Sequence, residues 1–287
     1  MAADPAAAAS ADAAADSAAA VAPLLSVADL TVRYGGVLAL DSVSLDVPAA
    51  GFVGLIGPNG AGKTTFVDAL TGFARYTGEV CFNGARLDRQ PAYLRARHGL
   101  ARTFQSGGVF DDLTVEENIL IGERSGSGWL PALTSVLTGR SAPASRATRE
   151  IVGSLGLTGL LGLRAEELSE GQRKLVSVAQ ALASKAKLLL LDEPAAGLDL
   201  GGREDLLQRI AALLRDPRSP MMVLVTHHVE EVPEGFTHGM LLRKGSVLAA
   251  GPLPEVFTER NLSRCFGVPL QVERRAARWS ARAARTH

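Results

Sequence analysis

The stretch GPNGAGKTT, residues 57–65, directly follows the apolar run GFVGLI, and its reading decides the fold. It has the form G-x-x-x-x-G-K-T, placed after a strand-like run and before a helical pattern, which is the context a phosphate-binding loop requires. Glycines let backbone amides turn inward around phosphate oxygens, and the helix N-terminus adds its positive dipole end. Gly57, Pro58, Asn59, Gly60, Ala61, Gly62, Lys63, Thr64 and Thr65 are therefore candidate nucleotide-binding residues. Lys63 would reach the β- and γ-phosphates and the Thr64 hydroxyl would hold Mg²⁺. A glycine-rich turn formed by chance is the alternative, and the flanking pattern argues against it.

Further along, LLLLDEP at residues 188–194 supplies the second half of such a site. An apolar strand ending in two acids delivers them to the carboxyl edge of the sheet, where open α/β sheets bind ligands. Asp192 is a candidate metal ligand, and Glu193 a candidate for polarising an attacking water. Taken alone the pair reads equally well as acids capping the next helix.

Around these two motifs the chain alternates strand and helix patterns. LLSVADLTVRY and VLALDSVSLDVP alternate apolar and polar residues as half-buried strands do, and GEVCFNGARL reads as a strand ending in an Asn-Gly turn. From residue 114 to about 183 the pattern is helical, broken by a loop at 125–145. GREDLLQRIAALLRD reads as an amphipathic helix, MMVLVTHH as a buried strand, and GMLLRKGSVLAAGP as a hairpin turning at Lys244-Gly245. The expected fold is α/β: a P-loop NTPase core with a mostly parallel sheet, an added antiparallel β layer and a helical subdomain.

Composition narrows the function classes. Hydrophobic residues make up 47%, charged residues 21%, and the formal net charge is zero, so whole-chain electrostatics point to neither nucleic acid nor membrane. Cys81 and Cys265 stand far apart, which fits a reducing compartment and opposes a disulfide scaffold or zinc site. No apolar run approaches the ~20 residues that cross a bilayer. Residues 1–22 are mostly alanine with three aspartates and no basic residue, which suits a disordered tail better than a secretory signal. The tail from Gln271 carries five arginines against one acid and is read as a solvated helix or frayed end in preference to an anionic-surface contact.

LSEGQ, residues 168–172, opens another helix. Ser169 as N-cap with Gln172 three residues on forms a capping box. Across residues 24–254 these motifs together resemble the ATP-binding cassette (ABC) ATPases. LSEGQ resembles the family's signature motif, usually LSGGQ, and lies between the two phosphate-site motifs as it does there. Phe104-Gln105 resembles the Q-loop, AAGLD at 195–199 the D-loop, and VTHH at 225–228 the switch-histidine segment. Tyr34 in VRYGG stands where the family has the aromatic that stacks on adenine. The resemblance implies Mg²⁺-dependent ATP hydrolysis, with Glu193, His227 and Gln105 as catalytic residues and Thr64, Gln105 and Asp192 at the metal. His227 rather than His228 is chosen because it follows the strand and its Thr directly; His228 stands where the family often has Asp. The resemblance also implies a head-to-tail pair of cassettes, same or different chains, in which Ser169, Gly171 and Gln172 face the ATP of the partner.

The expected organisation is a tail at 1–22, an ATPase domain at 23–258 with its helical subdomain at about 106–183, and a C-terminal extension at 259–287. A lone cassette resembles the separate ATPase subunit of a bacterial transporter, held peripherally at the cytoplasmic face of the membrane by permease subunits and served indirectly by a solute-binding protein. RHGLARTFQ, LTVEENI, the long loop and LLLLDEPAAGLD resemble the branched-chain amino-acid importer branch. The last third is more similar to cassettes for metal or iron-complex uptake. A soluble ABC ATPase acting on DNA or ribosomes is the rival class. No coiled-coil or zinc insertion and no second cassette supports it, and no nucleic-acid partner is expected.

One letter departs from the family: Glu170 stands where the commonest form has Gly. The expected orientation is away from the partner's triphosphate, leaving Gly171 for the close approach. Glu170→Gly is therefore expected to change the ATPase rate, measured as phosphate release, by less than about tenfold, which is about 1.4 kcal/mol in barrier height.

Overall fold

The computed structural model describes residues 23–48, 51–103, 108–125 and 144–284. The Ala-rich residues 1–22, Phe104-Gln105 and most of the 125–145 loop lie outside the described residues. The first half of the chain forms β1 (Leu25–Tyr34), β2 (Val37–Val47), β3 (Val53–Ile56), α1 (Lys63–Thr71), β4 (Thr77–Phe82), β5 (Ala85–Arg86), α2 (Ala92–Arg97), β6 (Leu100–Thr103) and α3 (Val115–Ser125). The second half forms α4 (Arg146–Ser154), α5 (Glu170–Ala183), β7 (Leu188–Asp192), α6 (Leu200–Leu213), β8 (Met221–Thr226), β9 (His238–Arg243), β10 (Ser246–Pro252), α7 (Leu253–Val256), α8 (Glu259–Phe266), β11 (Leu270–Arg275) and β12 (Arg278–Ala283).

The central sheet has the order β10-β9-β3-β8-β7-β6, parallel except for the β9–β10 hairpin. Strands β3, β7 and β8 are buried at every residue, as parallel strands covered on both faces must be. Their side chains divide with period two. Leu189, Leu191, Met222 and Leu224 join the core beneath α3 and α5, whereas Leu188, Leu190, Val223 and Val225 join the core shared with Leu25, Val32 and Phe66. The second of these cores is roofed by an antiparallel sheet of order β2-β1-β4-β5. Its half-buried strands are the alternating segments read in the sequence. The Asn-Gly turn forms as expected, with Asn83 and Gly84 both in the left-handed region at φ 49° and 76°.

Arg95 on α2, which pattern reading passes over, is almost fully buried. Its Nη1 donates to the Ala69 and Leu70 carbonyls at 2.7 and 2.9 Å, satisfying the C-terminal end of α1. Its guanidinium also lies over the Tyr76 ring at 5.5 Å. Burial, with Asp88 accepting from the hydroxyl, pushes the Tyr76 phenol up to about 12.

The arginine-rich terminus corrects the sequence expectation. Among the described residues it is an antiparallel hairpin, β11–β12, with Leu270 paired to Ala283 and Val272 to Ala281. Leu270, Val272, Trp279 and Ala281 pack against the core, and Trp279 meets Phe257 edge-on at 5.5 Å. The alternation of these four residues is the strand signal, which the five-arginine count obscured. The turn is made by Ala276 and Ala277, both at positive φ (45° and 64°), without the glycine or asparagine that marks such turns in sequence.

Candidate functional site

The register of the central strands sets the site. Ile56 at the end of β3 pairs with Thr226 at the end of β8, and Asp192 at the end of β7 pairs with Val225. Gly57, Glu193 and His227, the next residue of each strand, therefore leave the sheet side by side. In the described residues they meet Lys63, whose Nζ lies 3.6 Å from Glu193 Oε1, while His227 Nδ1 lies 3.5 Å from the same oxygen. Three separate segments of the chain thus converge on one carboxylate.

The loop from Gly57 closes by backbone contacts. The Ala61 amide donates to the Pro58 carbonyl at 3.1 Å, and the Gly245 amide to the Ala61 carbonyl at 2.9 Å. A Cβ on Gly57 would run into the Leu242 carbonyl, so only glycine fits there. Gly62, at φ 104°, is the N-cap of α1 and makes no side-chain cap; no acid occupies the first turn of that helix. The free amides of the α1 N-terminus are thus left for an outside acceptor, and the positive dipole end favours an anion there. Lys63 is buried, its ammonium donating to the carbonyls of Gly57 and Pro58 at 2.9 and 3.2 Å. A cavity of about 600 Å³ opens over this loop, lined in part by Asn59, Gly60, Gly62, Lys63, Thr64, Thr65 and Glu193.

Two carboxylates behave differently on this edge. Glu193 is held at φ 46°, a left-handed conformation rare for a non-glycine residue, with its amide donating to the Val225 carbonyl at 2.9 Å. Such outliers cost roughly 1–3 kcal/mol and collect at functional sites. Asp192 is buried. Its Oδ2 accepts from Arg102 Nη2 at 2.9 Å, and Arg102 Nη1 reaches Asp68 on α1. Burial pushes the Asp192 carboxyl up, Arg102 pulls it back by charge and hydrogen bond, and Glu193 and Asp68 push it further up. Asp192 Oδ1 is buried with no protein partner, an orphaned acceptor of the kind a cation would satisfy.

Ser169 caps α5, its Oγ accepting from the Gln172 amide at 3.3 Å while its own amide donates to Gln172 Oε1 at 2.9 Å. Glu170 is exposed at the first helical position and Gly171 follows it. Lys174, one turn along, is depressed by burial and pulled back up by Glu170, Glu193 and Glu231. Gln105 lies outside the described residues. Tyr34 is half exposed but is not among the residues lining the cavity. The apolar wall is instead Val37, Leu38 and Ala39 at the start of β2, closed by Lys244 and Gly245 of the β9–β10 turn. Sequence reasoning missed these five. Val37 and Leu38 left one trace, two consecutive apolar residues, both exposed, after a Gly-Gly turn.

A phosphate-binding loop on a parallel sheet, with an acidic strand end beside it and a histidine on the next strand, defines a nucleotide-binding P-loop protein. The sequence pattern of the ABC transporter family matches residues 40–196, and the chain belongs to that family. It is accordingly an ATP-binding, ABC-type ATPase. It is 33% identical over 234 residues to the high-affinity branched-chain amino acid transport ATP-binding protein BraF of Pseudomonas aeruginosa, covering 80% of this chain and 91% of that one. It is 35% identical over 238 residues to the probable branched-chain amino acid transport ATP-binding protein LivG of Archaeoglobus fulgidus, covering 79% and 89%. The crystal structure of a nucleotide-free ATP-binding cassette from an ABC transporter superposes with a TM-score of 0.70 at 28% identity, covering 86% of this chain and 96% of that one. Among the described residues no helix is long and apolar enough to cross a membrane.

Arg102 was not anticipated from sequence, yet it joins the strand-end acid to α1. Removing it leaves a buried carboxylate without its counter-ion, which costs about 3–5 kcal/mol. Arg102→Ala is expected to lose that much unfolding free energy near pH 8, measured by urea titration. With only burial and like charges acting on it, Asp192 would hold its proton more tightly folded than unfolded. The folded state then gains stability below the unfolded carboxylate range and loses it as pH rises through the raised value. The deficit should therefore shrink towards about pH 4–5.

Proposed function

We propose that this chain is the ATP-hydrolysing subunit of a solute importer, peripheral to the membrane at its cytoplasmic face and coupled to separate permease subunits. Branched-chain amino acids or related compounds are the favoured cargo, supported by the similarity to BraF and LivG over most of the chain. The observation that carries the catalytic part is the convergence of Lys63 and His227 on Glu193 beside an uncapped helix N-terminus.

In this reading the amides of the loop from Gly57 to Thr65 and the Lys63 ammonium bind the triphosphate. Lys63 gives up its contacts with the Gly57 and Pro58 carbonyls for the phosphate oxygens. Glu193, held by the left-handed turn after β7, polarises the attacking water, and His227 fixes Glu193 and the γ-phosphate relative to one another. Asp192, Thr64 and Gln105 are the residues that would hold Mg²⁺; the orphaned Asp192 Oδ1 suits that task. The ion, when bound, neutralises charge on the β- and γ-phosphates. The adenine rests against Val37 and Leu38.

Ser169, Gly171 and Gln172 act on the ATP of a second cassette. The capping box and the intersubunit role use the same helix end, since Ser169 can accept from Gln172 by its lone pair while its own hydroxyl hydrogen donates to a phosphate. Two bound ATP molecules would then close the pair, and hydrolysis would let it open and drive the permeases.

Glu193→Gln is expected to retain ATP binding, lose at least about 100-fold in turnover, and accumulate as an ATP-bound dimer on size exclusion. Lys63→Ala is expected to abolish binding of labelled ATP. Normal turnover in the Glu193 variant would remove Glu193 from its role. Uptake of labelled leucine into vesicles bearing the co-purified permease tests the cargo, with a chelated metal as the competing substrate.

A further inference from the structure

The C-terminal hairpin β11–β12 has no part in the site described above, yet its contacts converge on the two segments that leave the sheet at Glu193 and His227. After β8 the chain passes through His227 and His228 into a short 3₁₀ turn, Val229–Glu231. On its inner side this turn is tied to the strand: the buried Thr226 hydroxyl donates to the Glu231 carboxylate, and the His228 amide donates to Thr226 Oγ1 at 3.1 Å. On its outer side it is tied to β12. The Ala281 amide donates to Glu230 Oε1 at 2.9 Å, and Arg278 Nη2 donates to the Glu230 carbonyl at 2.7 Å. The same guanidinium pairs through Nη1 with Glu204 on α6.

Glu204 lies in the second turn of a helix whose N-cap is Asp199, its Oδ1 accepting from the Gly202 amide at 2.7 Å. Residues 193–199 connect that helix directly to β7. One guanidinium therefore ties the turn that follows β8 and His227 to the helix that follows β7 and Glu193. A planar fork with fixed donor directions holds two acceptors at a set separation, which a flexible ammonium does not.

The hairpin can serve as a brace because it is itself seated. Trp279 meets Phe257 edge-on at 5.5 Å, the Leu270 amide donates to Ser263 Oγ at 2.8 Å, and the Val272 amide donates to Glu259 Oε1 at 3.2 Å. These contacts fasten both strands to α7 and α8, so Arg278 projects from a fixed base. Arg278 and Glu204 remain about one-third exposed, so solvent screens their charge and the pair adds little stability by itself. Its consequence lies in geometry.

We propose that Arg278 is a positioning residue for ATP hydrolysis, acting through the 3₁₀ turn to set His227 against Glu193. The proposal rests on the reading of Glu193 and His227 as the reacting pair. Small misplacements of a catalytic group cost rate far more than they cost binding, up to about 100-fold for about 1 Å. The nucleotide cavity is lined by the loop after β3, the start of β2 and the β9–β10 turn, none of which is among the hydrogen-bond partners of the hairpin given above. The split between turnover and binding is therefore the signature.

The test is steady-state ATPase of the full chain with nucleotide affinity measured in parallel. Arg278→Ala is expected to lower kcat by about five- to tenfold, leave the ATP Kd within about twofold, and be partly rescued by Arg278→Lys. Because Arg278 acts through His227, Arg278→Ala added to His227→Ala should lower kcat little further than His227→Ala does alone. Additive losses in that cycle, or an unchanged kcat in Arg278→Ala, would overturn the proposal. Full turnover in His227→Ala would instead overturn the reading it rests on. Should Arg278→Ala not fold, Glu204→Gln carries the same cycle, since it weakens the same bridge from a partly exposed helix face and keeps the side-chain volume.

Discussion

Burial of β3, β8 and β7 on both faces is the constraint from which the rest follows. Three adjacent parallel strands with no solvated face cannot slip by one residue, because each slip would exchange the side chains of the two cores. The register is thereby pinned, with Ile56 beside Thr226 and Asp192 beside Val225. Pinned strand ends are what make Gly57, Glu193 and His227 neighbours, although the chain visits them in widely separated stretches. The chemistry at this edge depends on hydrocarbon packing several residues away.

The edge concentrates polar cost where the sheet stops. Lys63 is buried against carbonyls and a carboxylate, Asp192 is buried against Arg102, and Glu193 sits in a left-handed conformation. Each is unfavourable in isolation and each is offset by an immediate partner. Asp192 shows the balance most plainly. Burial pushes its carboxyl up, and the guanidinium from the neighbouring strand β6 pulls it back down. Arg102 pairs with one of its oxygens and leaves the other, Oδ1, a buried acceptor without a partner.

Behind the edge, the structure supports the outgoing segments from two directions. The loop after β3 is closed from the β9–β10 turn through Gly245, whose amide meets the Ala61 carbonyl while its own carbonyl accepts from Asp41 on β2. The segments after β7 and β8 are met by the terminal hairpin. A turn that begins as the end of a strand is only as fixed as what lies beyond it, and here both flanks are covered by elements remote in sequence.

Much of this was legible from the amino-acid order, and the divide has a physical basis. G-x-x-x-x-G-K-T, LLLLDEP, the Ser169–Gln172 capping box and the alternating early strands are local patterns. Loop closure, strand burial, helix capping and period-two burial are each decided within a few residues, so residue types and spacing determined them. Arg102, Arg95, Val37, Lys244 and Arg278 were not legible. The role of each depends on what another segment brings alongside it: a carboxylate from β7, carbonyls from α1, a loop after β3, a glutamate on α6. The terminal hairpin was misread because its arginine content outweighed a faint alternation and its turn is built from alanines. Sequence by itself determined which segments form strands, loops and caps, because those forces are short-ranged. Only the tertiary structure decided which charges pair and which remote elements meet at the strand ends, because pairing needs proximity, and proximity came from sheet order.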